Sequence, residues 1–249
     1  MIRHIPAARR HFNDFGWLKT FWLFSFSEYY DPENIQFGAL RVFNDDVVAP
    51  GTGFPTHPHR EMEIVTIVLS GEITHADSMG NSAVIRQGEV QRMSAGTGLT
   101  HSEFNLGQEP VHFFQLWFLP DEHRVAPSYE QRAFEPGSWR NRLVPVASGQ
   151  GAHDAVTFNT DATVYRASLD QGNALEFRCN DTRRIFIYLI DGALEVNGLS
   201  LEKGDQARLD EEVLVAMKAL KTCTFVLVDS PSCKGFGYDV TMLRAAQTR

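Results

Sequence analysis

The feature that most constrains the fold is a succession of short runs rich in branched and aromatic residues, each closed by Gly, Asn, Asp or Pro. Residues 39–43, 63–69, 72–75, 111–119, 163–169, 185–190, 193–196, 213–216 and 223–228 all read this way. That is the strand-and-turn pattern, and many short strands at regular spacing argue for a sandwich or barrel. Asn197-Gly198, between two apolar runs, is a two-residue hairpin turn, because both positions tolerate positive φ. Asp77-Ser78-Met79-Gly80-Asn81 forms a second turn-rich tip. Helical periodicity is scarce, with one weak candidate at 239–247. The fold class expected is all-β, with few short helices.

A weak internal repeat predicts two barrels. Ile64–Leu69 with Gly71, a hairpin and then Gln87-Gly88-Glu89 is echoed by Ile185–Ile190 with Gly192, Asn197-Gly198 and Lys203-Gly204-Asp205. Residues 120–152 are rich in Pro and Gly, which suits a connection between domains near 135–150. The division expected is 1–135 for an N-terminal barrel and 136–249 for a C-terminal barrel with a tail. The 249 residues suit that count.

Two constellations carry chemistry. In Thr56-His57-Pro58-His59-Arg60, the i, i+2 spacing puts both imidazoles on one face of a strand. Pro58 lacks a backbone donor and so belongs at an edge or strand end. Thr100-His101-Ser102-Glu103 repeats the spacing with a carboxylate. Alone, a His-x-His is more often exposed or hydrogen-bonded than ligating. Two such pairs on neighbouring strands would place three imidazoles and one carboxylate around one ion. This donor set, without thiolate, suits Fe(II), Mn, Co, Ni, Cu(II) or Zn. Four protein ligands leave two octahedral positions open, although the same four would fill a tetrahedral zinc site.

The same count fails in the second half. His57 and His59 lie 14 and 12 residues before Gly71, and the equivalent steps from Gly192 reach Arg178 and Asn180. His101 and Glu103 lie 13 and 15 after Gly88, and the equivalent steps from Gly204 reach Met217 and Ala219. The second barrel is expected to be metal-free. Among other candidates, Glu63 could be a ligand, a partner orienting an imidazole or a charge at the barrel rim, and the second reading is favoured because Glu103 already supplies a carboxylate. His75 is read as structural with Asp77 in reach, and His112 as a residue that could line the barrel. His4, His11, His123 and His153 are expected in solvated loops or termini. Phe54, Phe104, Phe114 and Trp117 could wall a flat ligand, although core packing is the commoner role of each.

A net charge of −8 gives no footprint for phosphate backbones, so direct nucleic-acid binding is not expected. Three scattered cysteines form neither a disulfide framework nor a thiolate zinc site. The N-terminus lacks an apolar signal core, and the aromatic stretch from Trp17 to Phe26 is broken by Lys19, Thr20 and Ser25. A cytoplasmic protein without membrane segments is expected.

The run 51–63, GTGFPTHPHREME, resembles the first cupin motif in its pirin variant, and 88–103, GEVQRMSAGTGLTHSE, resembles the second. FSFSEYYDP at 24–32, LRVFNDD at 40–46 and QLW at 115–117 are similar as well. The chain therefore resembles bacterial pirin-like proteins over about residues 15–135, with the second half similar only in layout. Ser94 departs from the proline common in cupins. The resemblance implies a bicupin, two cupin-type β-barrels of the double-stranded β-helix kind. It implies one divalent metal, Fe(II) first, held by His57, His59, His101 and Glu103. It implies a quercetin 2,3-dioxygenase-like enzyme that opens a flavonol or similar small aromatic or enol substrate with O2. Glu103 would be its general base. The alternative is a metal- or redox-responsive regulator without turnover, like the animal pirin co-regulator of transcription, which would need a protein partner.

Overall fold

A computed structural model describes residues 1–135 and 137–232. The helical candidate at 239–247 and Cys233 lie outside the described residues. Within them the only helical element is one turn of 3-10 helix, Ala7–Arg9, and everything else regular is strand.

In the first half a seven-stranded sheet runs in the order Ser128–Ala133, Glu89–Ser94, Glu63–Ser70, Val111–Phe118, Leu40–Val48, Leu18–Trp22, His11–Asp14. It packs on a four-stranded sheet ordered Gly53–His59, Leu99–Phe104, Glu72–Asp77, Ser82–Arg86. Leu18, Val48, Val68, Val111 and Phe113 from the large sheet meet Ile73 and Ile85 from the small one. The two sheets close a barrel with the small sheet carrying both His-containing strands. In the second half a nine-stranded sheet wraps on itself around Ile185, Ile187, Leu189, Leu194, Val196, Leu209, Met217 and Phe225. The architecture is a bicupin.

Two strands of the second half differ from the sequence expectation. Residues 185–190 and 193–196 belong to one strand, Arg183–Val196, and 214–216 and 223–228 to another, Leu214–Pro231, with Val213 just ahead of it. Their register shifts between Leu189 and Leu194, so bulges absorb the turn-forming residues without ending the ladder. Gly192 makes this feasible. Its φ is 86°, and a Cβ there would sit 2.1 Å from the Thr222 carbonyl oxygen. Asn197 and Gly198, with φ of 47° and 83°, form the expected hairpin turn.

The halves share a core. Phe43, Val65, Ile67, Phe114, Leu116 and Phe118 pack against Val164, Phe186, Tyr188, Val226 and Val228. The Glu63–Ser70 strand is consequently buried on both faces, which explains its unbroken apolar run. The Ile2–Ile5 strand crosses over and pairs with Gln206–Asp210 of the second sheet.

Candidate metal centre

The Leu99–Phe104 strand sits between two partners. On one side it pairs with Gly53–His59, His101 opposite His57 and Leu99 opposite His59. On the other it pairs with Glu72–Asp77, Glu103 opposite His75 and His101 opposite Asp77. Gly53–His59 is the sheet edge, where Pro58 leaves no ladder bond unmade. A register shift between His101 and Glu103 alters the regular pleat there.

Side chains therefore converge from three strands. His57, His59 and His101 bring ligand atoms within 4.8 Å of one another, with ring centroids 4.4–4.9 Å apart. Glu103 falls in a second such set with His75 and His101, so His101 joins the two groups. His59, His101 and Glu103 are at most 5% exposed, whereas His57 is half-buried at the mouth.

The polar atoms here are conspicuously unpaired. His59 Nδ1, His101 Nε2 and Glu103 Oε1 are buried without a hydrogen-bond partner, a condition that in native proteins demands an explanation. Burial, reinforced by the neighbouring imidazoles, pushes His59 down to about 2 and His101 down to about 3. Both are thus neutral at working pH, with lone pairs free. Burial raises the Glu103 carboxyl. His57 Nδ1 donates to the Pro55 carbonyl at 2.7 Å, leaving its other nitrogen as an acceptor. Neutral imidazoles and a carboxylate oxygen with unused lone pairs fit a divalent transition metal.

Supporting residues orient this set. Trp117 Nε1 can only donate, and it does so to Gln115 Oε1 at 3.1 Å. Gln115 Nε2 then donates to Glu103 Oε2 at 2.8 Å, leaving Oε1 free. Gln115 belongs to a row of buried polar side chains, Asn44, Gln115, Thr66 and Gln91, paired across four strands. The matching interior of the second barrel is apolar, and Met217 and Ala219 are part of it.

Several sequence readings change. His75 is fully buried, bonded to Asp77 as expected, and also faces the site, its Nδ1 3.4 Å from His101 Nδ1. His112 points away from the barrel interior and pairs with Asp45 at 2.6 Å beside the second half. His4 lies in a strand and meets Asp205, and His11 stacks on Tyr29. Glu63 orients no imidazole: its Oε2 accepts from Ser94 Oγ at 2.6 Å and from the Asn159 backbone N–H at 3.0 Å. Of the aromatic candidates, Trp117 stands edge-on to His59 at 4.8 Å. Phe114 faces the shared core, and Phe54 packs on Trp17. Phe26, which packs on Trp117, and Tyr129, which stacks on His75, were not singled out from sequence.

Residues 6–118 match the pirin family model, and 145–230 match the quercetinase C-terminal cupin domain. A pirin-like protein of Caulobacter vibrioides is 43% identical over 231 residues, covering 92% of this chain and 100% of that one. The chain belongs to the pirin family. Another relative, the quercetin 2,3-dioxygenase of Escherichia coli, is 38% identical, with 93% of this chain and 99% of that one covered. The solved bacterial pirin YhhW of Escherichia coli in complex with nickel(II) superposes with a TM-score of 0.88 at 37% identity, covering 93% and 99% of the two chains. The family therefore includes a member that takes a divalent metal. No helix among the described residues is long and apolar enough to cross a membrane.

Proposed function

We propose that this pirin is a dioxygenase that opens a flavonol-like ring with O2, at one divalent metal held by His57, His59, His101 and Glu103. The observation that carries it is the group of buried, unpartnered donor atoms converging from two paired strands. The name of the Escherichia coli relative supports the reaction class. Residues 1–135 would form the metal-bearing unit and 136–249 its metal-free neighbour. The first metal to try is Fe(II), and nickel is the second, given the YhhW complex.

When bound, the metal supplies Lewis acidity and an electronic path between substrate and O2. The protein's residues do the rest. Burial raises the affinity of the Glu103 carboxyl for a proton in the metal-free protein, and once an oxygen leaves the ion this carboxylate would serve as the general base. On loosening from the ion, Oε1 would take the 3-hydroxyl proton of the flavonol, while Gln115 keeps Oε2 in place. The enolate that results is electron-rich enough to react with O2. One O2 is consumed, both its atoms enter the opened product, and one carbon leaves as CO. Trp117, with Phe26 behind it, offers an apolar edge beside His59 for the flat ring.

The test is oxygen uptake and CO release on adding quercetin to Fe(II)-loaded protein, with His101→Ala as the blank. Uptake that disappears in the variant is expected. No uptake with Fe(II), Ni, Mn, Co or Cu would discard the enzyme in favour of a regulatory protein.

A further inference from the structure

The pair His75–Asp77 has no role in the reaction just described, yet it is as buried as anything in the molecule, with both side chains fully inaccessible. Asp77 is locked at the start of its turn. Its Oδ1 accepts from the backbone N–H groups of Met79 and Asn81, at 2.9 and 3.1 Å. Its Oδ2 accepts from Asn81 Nδ2 at 2.9 Å and meets His75 Nε2 at 3.1 Å. An oxygen that already accepts from an amide is itself an acceptor, so His75 Nε2 is the donor in that contact. The neutral His75 ring then has a lone pair at Nδ1, and 3.4 Å away stands His101 Nδ1. One of two facing nitrogens must carry the hydrogen. His75 has spent its proton on Asp77, so the hydrogen belongs to His101.

We infer that Asp77 and His75 are positioning residues that fix the tautomer of His101, forcing Nδ1–H and leaving the Nε2 lone pair bare toward His57 and His59. The buried, unpartnered state of His101 Nε2 is what such a relay produces. Tyr129, stacked on His75 at 4.9 Å between ring centroids, holds the relaying ring in plane. A carboxylate commonly orients a metal-bound histidine directly. Here the carboxylate acts through an intervening imidazole, because the strand register sets His75 opposite Glu103 and Asp77 opposite His101. The inference rests on His101 being a ligand, as proposed above, but it makes a statement about the metal-free protein that does not.

Long-range 1H–15N correlation of the imidazoles in 15N-labelled, metal-free protein reads the tautomer. An Nδ1–H His101 is expected, and an Nε2–H His101 overturns the inference without any variant being made. Zn(II) is then added as a diamagnetic probe. His101 Nε2 is expected to shift as a coordinated nitrogen with His75 Nδ1 unchanged. Coordination at His75 would instead assign the metal to the His75–His101–Glu103 set and refute the relay. His75→Phe keeps the stacking ring and removes the acceptor. It is expected to move His101 toward Nε2–H and to weaken Zn(II) binding about 10–100-fold. His75→Gln donates to Asp77 and accepts from His101, so it is expected to restore the Nδ1–H form and most of the affinity. Wild-type affinity in His75→Phe, or no rescue in a folded His75→Gln, would sink the idea. If wild-type protein shows the expected tautomer yet binds no metal stoichiometrically, the proposed function fails and the relay stands.

Discussion

The most demanding consequence of the polar barrel interior concerns Asp46. This residue lies two positions from Asn44 on the Leu40–Val48 strand, is 3% exposed, and its Oδ1 has no partner. Burial, aided by the nearby charges of Asp45 and Glu103, pushes its carboxyl up to about 8 from an ordinary 3.8. A raised folded-state value means that folding takes up a proton. The associated stability is complete below the unfolded value near 4 and drains away as pH climbs toward 8. Each pH unit in that window is worth up to ~1.4 kcal/mol. Between pH 5 and 7 the wild type should therefore lose roughly 2–3 kcal/mol through this one group. Asp46→Asn keeps shape and cannot titrate, so its stability relative to wild type should rise by that amount over the same interval. Urea denaturation of both proteins in EDTA, at pH 5 and 7, measures it. The raised carboxyl of Glu63 titrates in both proteins, and its contribution cancels in the difference. Glu103, whose charge reaches Asp46, is removed from the comparison by measuring both proteins on a Glu103→Gln background. A difference between the proteins that stays constant within about 0.5 kcal/mol would show that Asp46 is ionised in the fold. The reasoning from burial would then be wrong.

Other outcomes follow from the site. His57→Ala and His101→Ala should each abolish stoichiometric metal binding in a calorimetric titration, and full occupancy in either would remove the ligand set. Gln115→Leu leaves Glu103 Oε2 without its donor, so metal affinity should fall about tenfold while the fold survives; unchanged affinity would show that the carboxylate needs no orienting. Glu63→Ala should cost about 1–3 kcal/mol, because Ser94 and Asn159 lose their buried acceptor. Metal binding should be retained in that variant, and its loss would return Glu63 to the centre.

The two i, i+2 pairs were legible because a strand has a side-chain period of two and needs no tertiary knowledge to bring His57 beside His59, or His101 beside Glu103. The barrel class was legible for the same reason, from the density of strands and turns. What pairs with what was not. His75 reaches the site only because its strand lies against His101's, and nothing in the spacing of 26 residues says so. Glu63 was misread because its partner Asn159 is 96 residues away in the other half. Phe114 packs in the core, the commoner of its two roles; the Val111–Phe118 strand is buried on both faces, so alternation alone could not choose between them. The two long strands read as four because bulges retain turn-forming residues inside a continuous ladder.

The crossing of Ile2–Ile5 into the second sheet has a consequence for how the molecule can be divided. A cut near the middle of the sequence would not yield two self-sufficient barrels. The first fragment would carry off an edge strand belonging to the other, and both would bare the aromatic face on which Phe43 meets Phe186 and Tyr188. The halves are stitched at the beginning of the chain as well as glued at their faces. Co-expressed fragments should therefore reassemble into one particle, and gene-level exchange of either barrel alone should produce insoluble protein.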